Sequence, residues 1–305
     1  MSVRIIDPQV DPNWPSAGEW LAGEHSAKTI GTLTMLGAPV ALGSTSGGRC
    51  DLAPPAIRAA LDRYSTYDVE FGRDLRALAV HDCGDLKIAD LRPEQAAGLI
   101  REAVSKAVKH SAAVAILGGD HSITYPAAAP ATGLLTFDAH FDLSAMDNGL
   151  TNGNPIRALL ADGFPGGQIV QVGIQSFANS RAYADVARKA GITFITLEQV
   201  RLRGIENVTA EALTQLSNSA DFIYVDFDLD VLDRAFAPAA SGSRPGGLAP
   251  WELRRAARIC GLHPRVRAID LVEIDPTRDV ADATSLAAAA CFLSFTSGLH
   301  QRLRG

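Results

Sequence analysis

Two short strings in this chain set acids and imidazoles at every second residue: Asp138-Ala139-His140-Phe141-Asp142 and Asp226-Phe227-Asp228-Leu229-Asp230. Each follows an apolar run, Leu134 to Phe137 in the first case and Phe222 to Val225 in the second. In an extended chain, residues i, i+2 and i+4 project to one side, so each string aims three ionisable groups at one place. Groups gathered in this way repel and desolvate one another unless a cation joins them. The pattern therefore predicts metal, and two strings predict a site crowded with carboxylates. A turn-capping role explains a single Asp at a strand end but not an alternating Asp/His/Asp triple. For Asp226 to Asp233 the competing reading is a solvated acidic loop.

A third strand end adds to the set. Gly118-Gly119-Asp120-His121-Ser122 follows the apolar run Ala113 to Leu117. Its glycines allow a sharp turn that would project His121 into a crevice. Oxygen donors with a minority of imidazoles suit Mn²⁺, whereas a structural Zn²⁺ site would want thiolates. The donors exceed what one ion needs, which points to two ions about 3.5–4 Å apart sharing a water-derived nucleophile.

The elements that must position these groups follow from the hydrophobic pattern. Short β-branched runs predict strands over 32–37, 77–81, 113–117, 133–137, 168–172, 192–196, 222–227 and 266–271. Helical stretches are expected over 54–63, 93–109, 154–161, 178–190, 208–217, 249–260 and 282–300, the sixth stopping at Gly261. Alternation of strand and helix implies right-handed βαβ units and a mostly parallel sheet covered on both faces. Loop 235–248, rich in Gly, Pro, Ser and Ala, follows the second acidic string, where open α/β sheets bind ligands. No linker divides the 305 residues, so a single domain over 1–305 is expected, with 1–28 wrapping the surface.

Composition narrows the partners. A net charge of −6 with no Lys/Arg cluster argues against nucleic acid. No apolar stretch approaches a membrane span, and the start lacks a basic-then-apolar signal, which predicts a cytoplasmic protein. Cys50, Cys83, Cys260 and Cys291 are isolated, as expected of reduced thiols.

Four ordered motifs, GGDHS at 118–122, DAHFD at 138–142, DxDxxD at 228–233 and Glu273-Ile274-Asp275-Pro276, resemble the ureohydrolase (arginase/agmatinase/formimidoylglutamase) family over roughly residues 30–295. The resemblance implies a three-layer α/β/α sandwich with a mostly parallel eight-stranded sheet and two Mn²⁺ per chain, with Ni²⁺ or another divalent ion left open. It implies that His121, Asp138, Asp142 and Asp228 hold one ion. Asp138, His140, Asp228 and Asp230 would hold the other, with Asp138 and Asp228 bridging. The family pattern needs an Asp three residues after its second ligand. Asp230 has Asp233 there and Asp228 would have Val231, so Asp226 falls outside the ligand set as a supporting carboxylate. In arginases that position is usually a small hydroxyl residue.

The implied chemistry is attack on a C=N carbon by a metal-bridging hydroxide, with Asp142 as proton carrier and Glu273 pairing with the planar substrate cation. Asn152 stands where arginases and agmatinases carry a His, and Asn does not shuttle protons near neutral pH. The loop around Asn152 and the segment 172–180 are similar to formimidoylglutamases, which hydrolyse N-formimino-L-glutamate to glutamate and formamide. Asn152, Asn154, Arg157 and Ser176 are the expected substrate contacts, and Arg181 is a second candidate cation. The alternative is an agmatinase or guanidino-acid hydrolase releasing urea. A non-catalytic relative would be expected to have lost ligands, and a single-Zn²⁺ deacetylase would not need both bridging aspartates. The family further implies a trimer or hexamer.

Overall fold

The computed structural model describes residues 13–23 and 31–305. Positions 1–12 and 24–28 of the expected N-terminal wrap lie outside them. Within 13–23, the short helix α1 (Ala17–Leu21) is capped by Ser16. It buries Trp20 completely, with Nε1 donating to Leu78 O at 2.9 Å.

The eight strands are β1 (Thr32–Ala38), β4 (Ala79–Asp85), β5 (Ala113–Gly118), β6 (Gly133–Phe137), β7 (Ile169–Ile174), β8 (Thr193–Thr196), β9 (Ile223–Asp228) and β10 (Val266–Val272). They form one sheet in the order β4-β1-β5-β10-β9-β6-β7-β8, and every pairing is parallel. A separate antiparallel ribbon joins β2 (Tyr67–Asp68) to β3 (Arg73–Asp74).

Two cores separate along the strand period. Ala113, Ala115 and Leu117 of β5 face one cluster, with α1, α2 (Ala53–Leu61), α7 (Leu197–Arg203), α8 (Ile205–Ser217), α9 (Pro250–Leu262) and α10 (Ala283–Arg304). Val114 and Ile116 face the other, with α3 (Pro93–His110), α4 (Thr124–Ala128), α5 (Pro155–Ala161) and α6 (Arg181–Ala190). Alternate residues thus bury against opposite helix layers, which is why these strands read as continuous apolar runs. The result is the expected three-layer sandwich.

Three differences from the sequence expectation have a clear physical reason. The second strand begins at Ala79 and runs to Asp85, because Leu75–Ala77 form a 3₁₀ turn and the exposed end of this edge strand is polar. Helix α7 is absent from the pattern-based prediction, since few of its positions are apolar. Helix α9 does not stop at Gly261. A Cβ there would lie 2.0 Å from Phe295 O, so this glycine permits a close crossing with α10 and does not end the helix.

Because the strands are parallel, their carboxyl ends emerge at one edge. Central β5, β10, β9 and β6 are neighbours, and the four motifs follow them. The turn after β5 is tight: a Cβ on Gly119 would lie 2.0 Å from Val40 O. Asp120 N donates to that same carbonyl at 2.7 Å, and Glu273 N donates to Gly119 O at 3.1 Å. Gly119→Ala is therefore expected to cost about 3 kcal/mol through overpacking, read as a lower urea midpoint at unchanged m-value. A variant as stable as the parent would show that the turn yields freely.

Candidate metal centre

At this edge the side chains of the four strand ends converge. His121 Nδ1 lies 2.5 Å from Asp142 Oδ2, 3.1 Å from Asp228 Oδ2 and 3.7 Å from Asp138 Oδ2. His140 Nδ1 lies 2.9 Å from Asp230 Oδ2 and 3.5 Å from Asp138 Oδ1. Two overlapping groups suit a metal ion: His121, Asp138, Asp142 and Asp228, and Asp138, His140 and Asp230. Asp138 belongs to both. Asp228 belongs to the first alone as the side chains stand, its Oδ1 accepting Asp230 N at 2.7 Å.

Short local bonds hold the donors. Asp138 Oδ1 accepts His140 N at 2.6 Å. Ala139 N donates to Asp230 Oδ1 at 3.3 Å, tying one string to the other. Asn179 braces the first string from the β7 side, accepting Phe141 N at 2.8 Å and donating to Ala139 O at 2.9 Å. Loop 235–248 closes on the site at Gly242, where a Cβ would lie 1.9 Å from Asp230 Oδ2. Asp142 and Glu273 both adopt left-handed backbone, with φ of 51° and 65°.

Burial and crowding set the charges. Burial, then Asp142 and Asp230, pushes the Asp138 carboxyl up to about 8. Burial, then Asp230 and Asp138, raises Asp228 well above the usual range. Asp230 pulls His140 up to about 12 against the opposing effect of burial. Burial raises Asp230 too, but His140 more than offsets it and the net shift is downward. Burial and Asp120 lift Glu273 to about 7. Asp138, Asp228 and Glu273 are thus pushed towards their neutral forms while His140 and Asp230 are pushed towards their charged ones. His121 Nδ1 and Asp138 Oδ2 are buried without a hydrogen-bond partner among the described residues. Oxygen-rich, largely dehydrated donors of this kind fit divalent cations.

The cleft over these groups is about 220 Å³ and is lined by Thr45, Ser46, His140, Asp142, Asn152, Gly153, Asp228, Asp230, Ser241, Gly242, Arg244 and Glu273. Asn152 links three loops: its Nδ2 donates to Glu273 Oε1 at 3.1 Å and its Oδ1 accepts Thr45 N at 3.0 Å. His121 N donates to the same Glu273 oxygen at 2.8 Å. A larger groove of about 400 Å³ beside α9 carries arginine–aromatic pairs such as Arg258 over Phe71, and no histidine lines it.

Four expected substrate contacts do not line the cleft. Asn154 is fully buried and donates to Ala145 O and Gly149 O, so it shapes its own loop. Arg157 is spent on Leu143 O, at 2.9 Å from Nη2. Ser176 is exposed outside the lining, and Arg181 is exposed beside Asp185. Sequence reasoning missed Thr45, Ser46, Arg244 and Asn179. Arg244 sits in the Gly/Pro-rich loop already marked as ligand-facing, and that loop was the available signal.

The chain matches the arginase family model over residues 32–297. It is 38% identical over 303 residues to a formimidoylglutamase of Halalkalibacterium halodurans, covering 95% of this chain and 94% of that one. The crystal structure of formimidoylglutamase from Bacillus subtilis superposes with a TM-score of 0.89 at 31% identity, covering 98% and 96% of the two chains. Trypanosoma cruzi formiminoglutamase, solved with Mn²⁺, shares the fold at a TM-score of 0.85 and 22% identity, covering 95% and 99%.

The raised carboxyls keep protons that the unfolded chain has already released, so the metal-free fold loses stability as pH rises from about 4 towards about 8. His140 acts in the same sense: its contribution is full below about 6.5 and is lost as pH climbs to about 12. Asp230, shifted downward, acts only at lower pH. The melting temperature of EDTA-treated protein is therefore expected to fall from about pH 5 to about pH 8, while the gain on adding Mn²⁺ grows. A metal-free melting temperature that rises over this interval would contradict the reading of the cluster.

Proposed function

Because this chain belongs to the arginase family, we propose that it is a formimidoylglutamase, hydrolysing N-formimino-L-glutamate to glutamate and formamide at a two-metal centre. His121, Asp138, Asp142 and Asp228 would hold one divalent ion; Asp138, His140, Asp228 and Asp230 would hold the other. The hard donor set favours Mn²⁺. Two such ions, when bound, would lower the pKa of a shared water into the neutral range and so supply a nucleophile.

The chain's own groups do the rest. Glu273 pairs with the planar N–C–N cation of the formimino group through charge-assisted hydrogen bonds, and Asn152 and His121 N hold its Oε1 in place. Asp142, 10% exposed at the cleft, accepts the proton of the attacking water and returns it to the departing nitrogen. The bond formed is from water oxygen to the formimino carbon. The bond broken joins that carbon to the glutamate nitrogen, leaving formamide and the free amine.

The single observation that carries the substrate choice is Arg244. Among the described residues it is the one Lys or Arg in the lining of an otherwise largely acidic and polar cleft. Among the described residues only Nη1 is engaged, donating to Gly242 O at 2.6 Å, so the guanidinium keeps donors for a carboxylate. A dicarboxylate tail suits it, whereas agmatine would bring a second cation to it. A guanidino acid also carries a carboxylate and is the second reading, separable by product. A cytoplasmic, homo-oligomeric enzyme completes the proposal.

Purified protein loaded with Mn²⁺ is expected to release formamide from formiminoglutamate and to lose this activity on chelation, with recovery on adding Mn²⁺. Urea from agmatine, arginine or guanidinobutyrate, with no action on formiminoglutamate, would overturn the assignment. Arg244→Ala is expected to raise KM for formiminoglutamate about 10- to 100-fold, the loss of one hydrogen-bonded charge pair. Its kcat should change far less and its Mn²⁺ content not at all. An unchanged KM would remove Arg244 from substrate binding.

A further inference from the structure

Asp226 is the member of the two acidic strings that the ligand set leaves out, yet it is completely buried. It sits on β9 in register with Asp270 on β10 and with Thr136 on β6. Directly opposite residues on neighbouring strands share a face, so Asp226 and Asp270 confront each other beneath the metal cluster. Asp270 Oδ2 accepts from Thr124 Oγ1 at 2.7 Å and from Tyr224 OH at 2.9 Å. Both donors are themselves buried, and Thr124 opens α4 directly after the turn that carries His121.

The His121 ring spans this layer and the cluster above it. Its Nε2 lies 3.1 Å from Asp226 Oδ2, while its Nδ1 faces Asp142 and Asp228. A histidine nitrogen binds an ion only when it carries no proton, and in neutral imidazole the other nitrogen then carries the hydrogen. An acceptor fixed at Nε2 selects the form with Nδ1 free, orients the ring and raises its basicity as a ligand. Asp226 is the acceptor in reach by distance. The pair is not aligned as a hydrogen bond as the side chains stand, and neither Nε2 nor either Asp226 oxygen has another partner among the described residues. The Thr124–Asp270–Tyr224 bonds fix the carboxylate that faces Asp226.

We propose that Asp226 is a positioning residue for the ion held by His121, presenting an oxygen to Nε2–H so that Nδ1 stays available to the metal. This rests on the two-ion reading above and adds to it that the two ions depend unequally on a group neither touches.

The test is a Mn²⁺ titration of stripped wild type, Asp226→Ala and Asp226→Asn, with free Mn²⁺ followed by EPR and the melting temperature of the stripped proteins recorded alongside. Wild type should bind two ions. Asp226→Ala should lose affinity about 10- to 100-fold at one site only. Asp226→Asn, whose Oδ1 still accepts from Nε2–H, should recover most of that loss. At saturating Mn²⁺ the kcat of Asp226→Ala should approach that of wild type with KM unmoved, because Asp226 does not line the cleft. Equal affinities in wild type and Asp226→Ala would overturn the proposal. Equal loss at both sites with a lower stripped melting temperature would do so too, since it marks a packing role. Should Asp226→Ala not fold, histidine NMR on Zn²⁺-loaded wild type decides: a His121 proton on Nε2 supports the proposal and one on Nδ1 refutes it. A wild type that takes up no Mn²⁺ would remove the two-ion reading itself, a failure visible in its own titration.

Discussion

The mutual repulsion of buried carboxylates is the constraint around which this molecule is arranged. Asp138, Asp226, Asp228, Asp230, Asp270 and Glu273 are each at most 4% exposed, and all lie at or just below one edge of the sheet. A parallel sheet suits this task because neighbouring strands end together, so acids far apart in sequence meet without long loops. Backbone N–H groups at the strand ends supply part of the compensation, those of Ala139, His140, Asp230 and His121 each donating to a carboxylate. Two divalent ions would supply most of the remainder, which makes metal binding and folding stability one problem.

The same constraint accounts for the strain. Asp142 and Glu273 have left-handed backbone without being glycine, at a cost of order 1–3 kcal/mol each. Each is held from outside: Arg157 N donates to Asp142 O at 3.2 Å, and Glu273 N donates to Gly119 O at 3.1 Å. Extended backbone at these positions would aim the carboxylates along their strand period. In the αL conformation both carboxylates line the cleft, one to carry a proton and the other to receive the substrate on the proposed reading.

The candidate cluster was legible in the sequence because its acids and imidazoles follow directly on strand ends, at the edge where parallel sheets gather side chains. The extended period of two does not persist through it: the first string lies past the end of β6 and Asp230 sits in the 3₁₀ turn Leu229–Val231. The choice of Asp228 and Asp230 over Asp226 came from the family resemblance. The substrate side was not legible, because loops keep no period. Asn154 and Arg157 looked like contacts from their place after the DAHFD motif, but their polar atoms are consumed by carbonyls of their own loop. Arg244 carried no mark except membership of the 235–248 loop. Within segment 172–180, Asn179 braces the first acidic string while Ser176 is exposed outside the cleft lining.

Asn152 joins the two halves of the problem. Where it stands, a histidine could exchange protons with the cleft. Asparagine cannot, but it offers a donor and an acceptor at once, and it uses both, holding Glu273 on one side and Thr45 on the other. The exchange gives up a proton relay for rigidity in a carboxylate that lines the cleft. On the proposed ligand set both His140 and Asp142 hold an ion, but a carboxylate keeps a second oxygen free to accept a proton whereas the ligating imidazole nitrogen does not. Among the groups lining the cleft the proton traffic of hydrolysis is therefore assigned to Asp142. A formimino substrate tolerates that economy, because one proton taken from water and given to one departing nitrogen completes its reaction, and a single carboxylate at the edge of the cluster suffices to carry it.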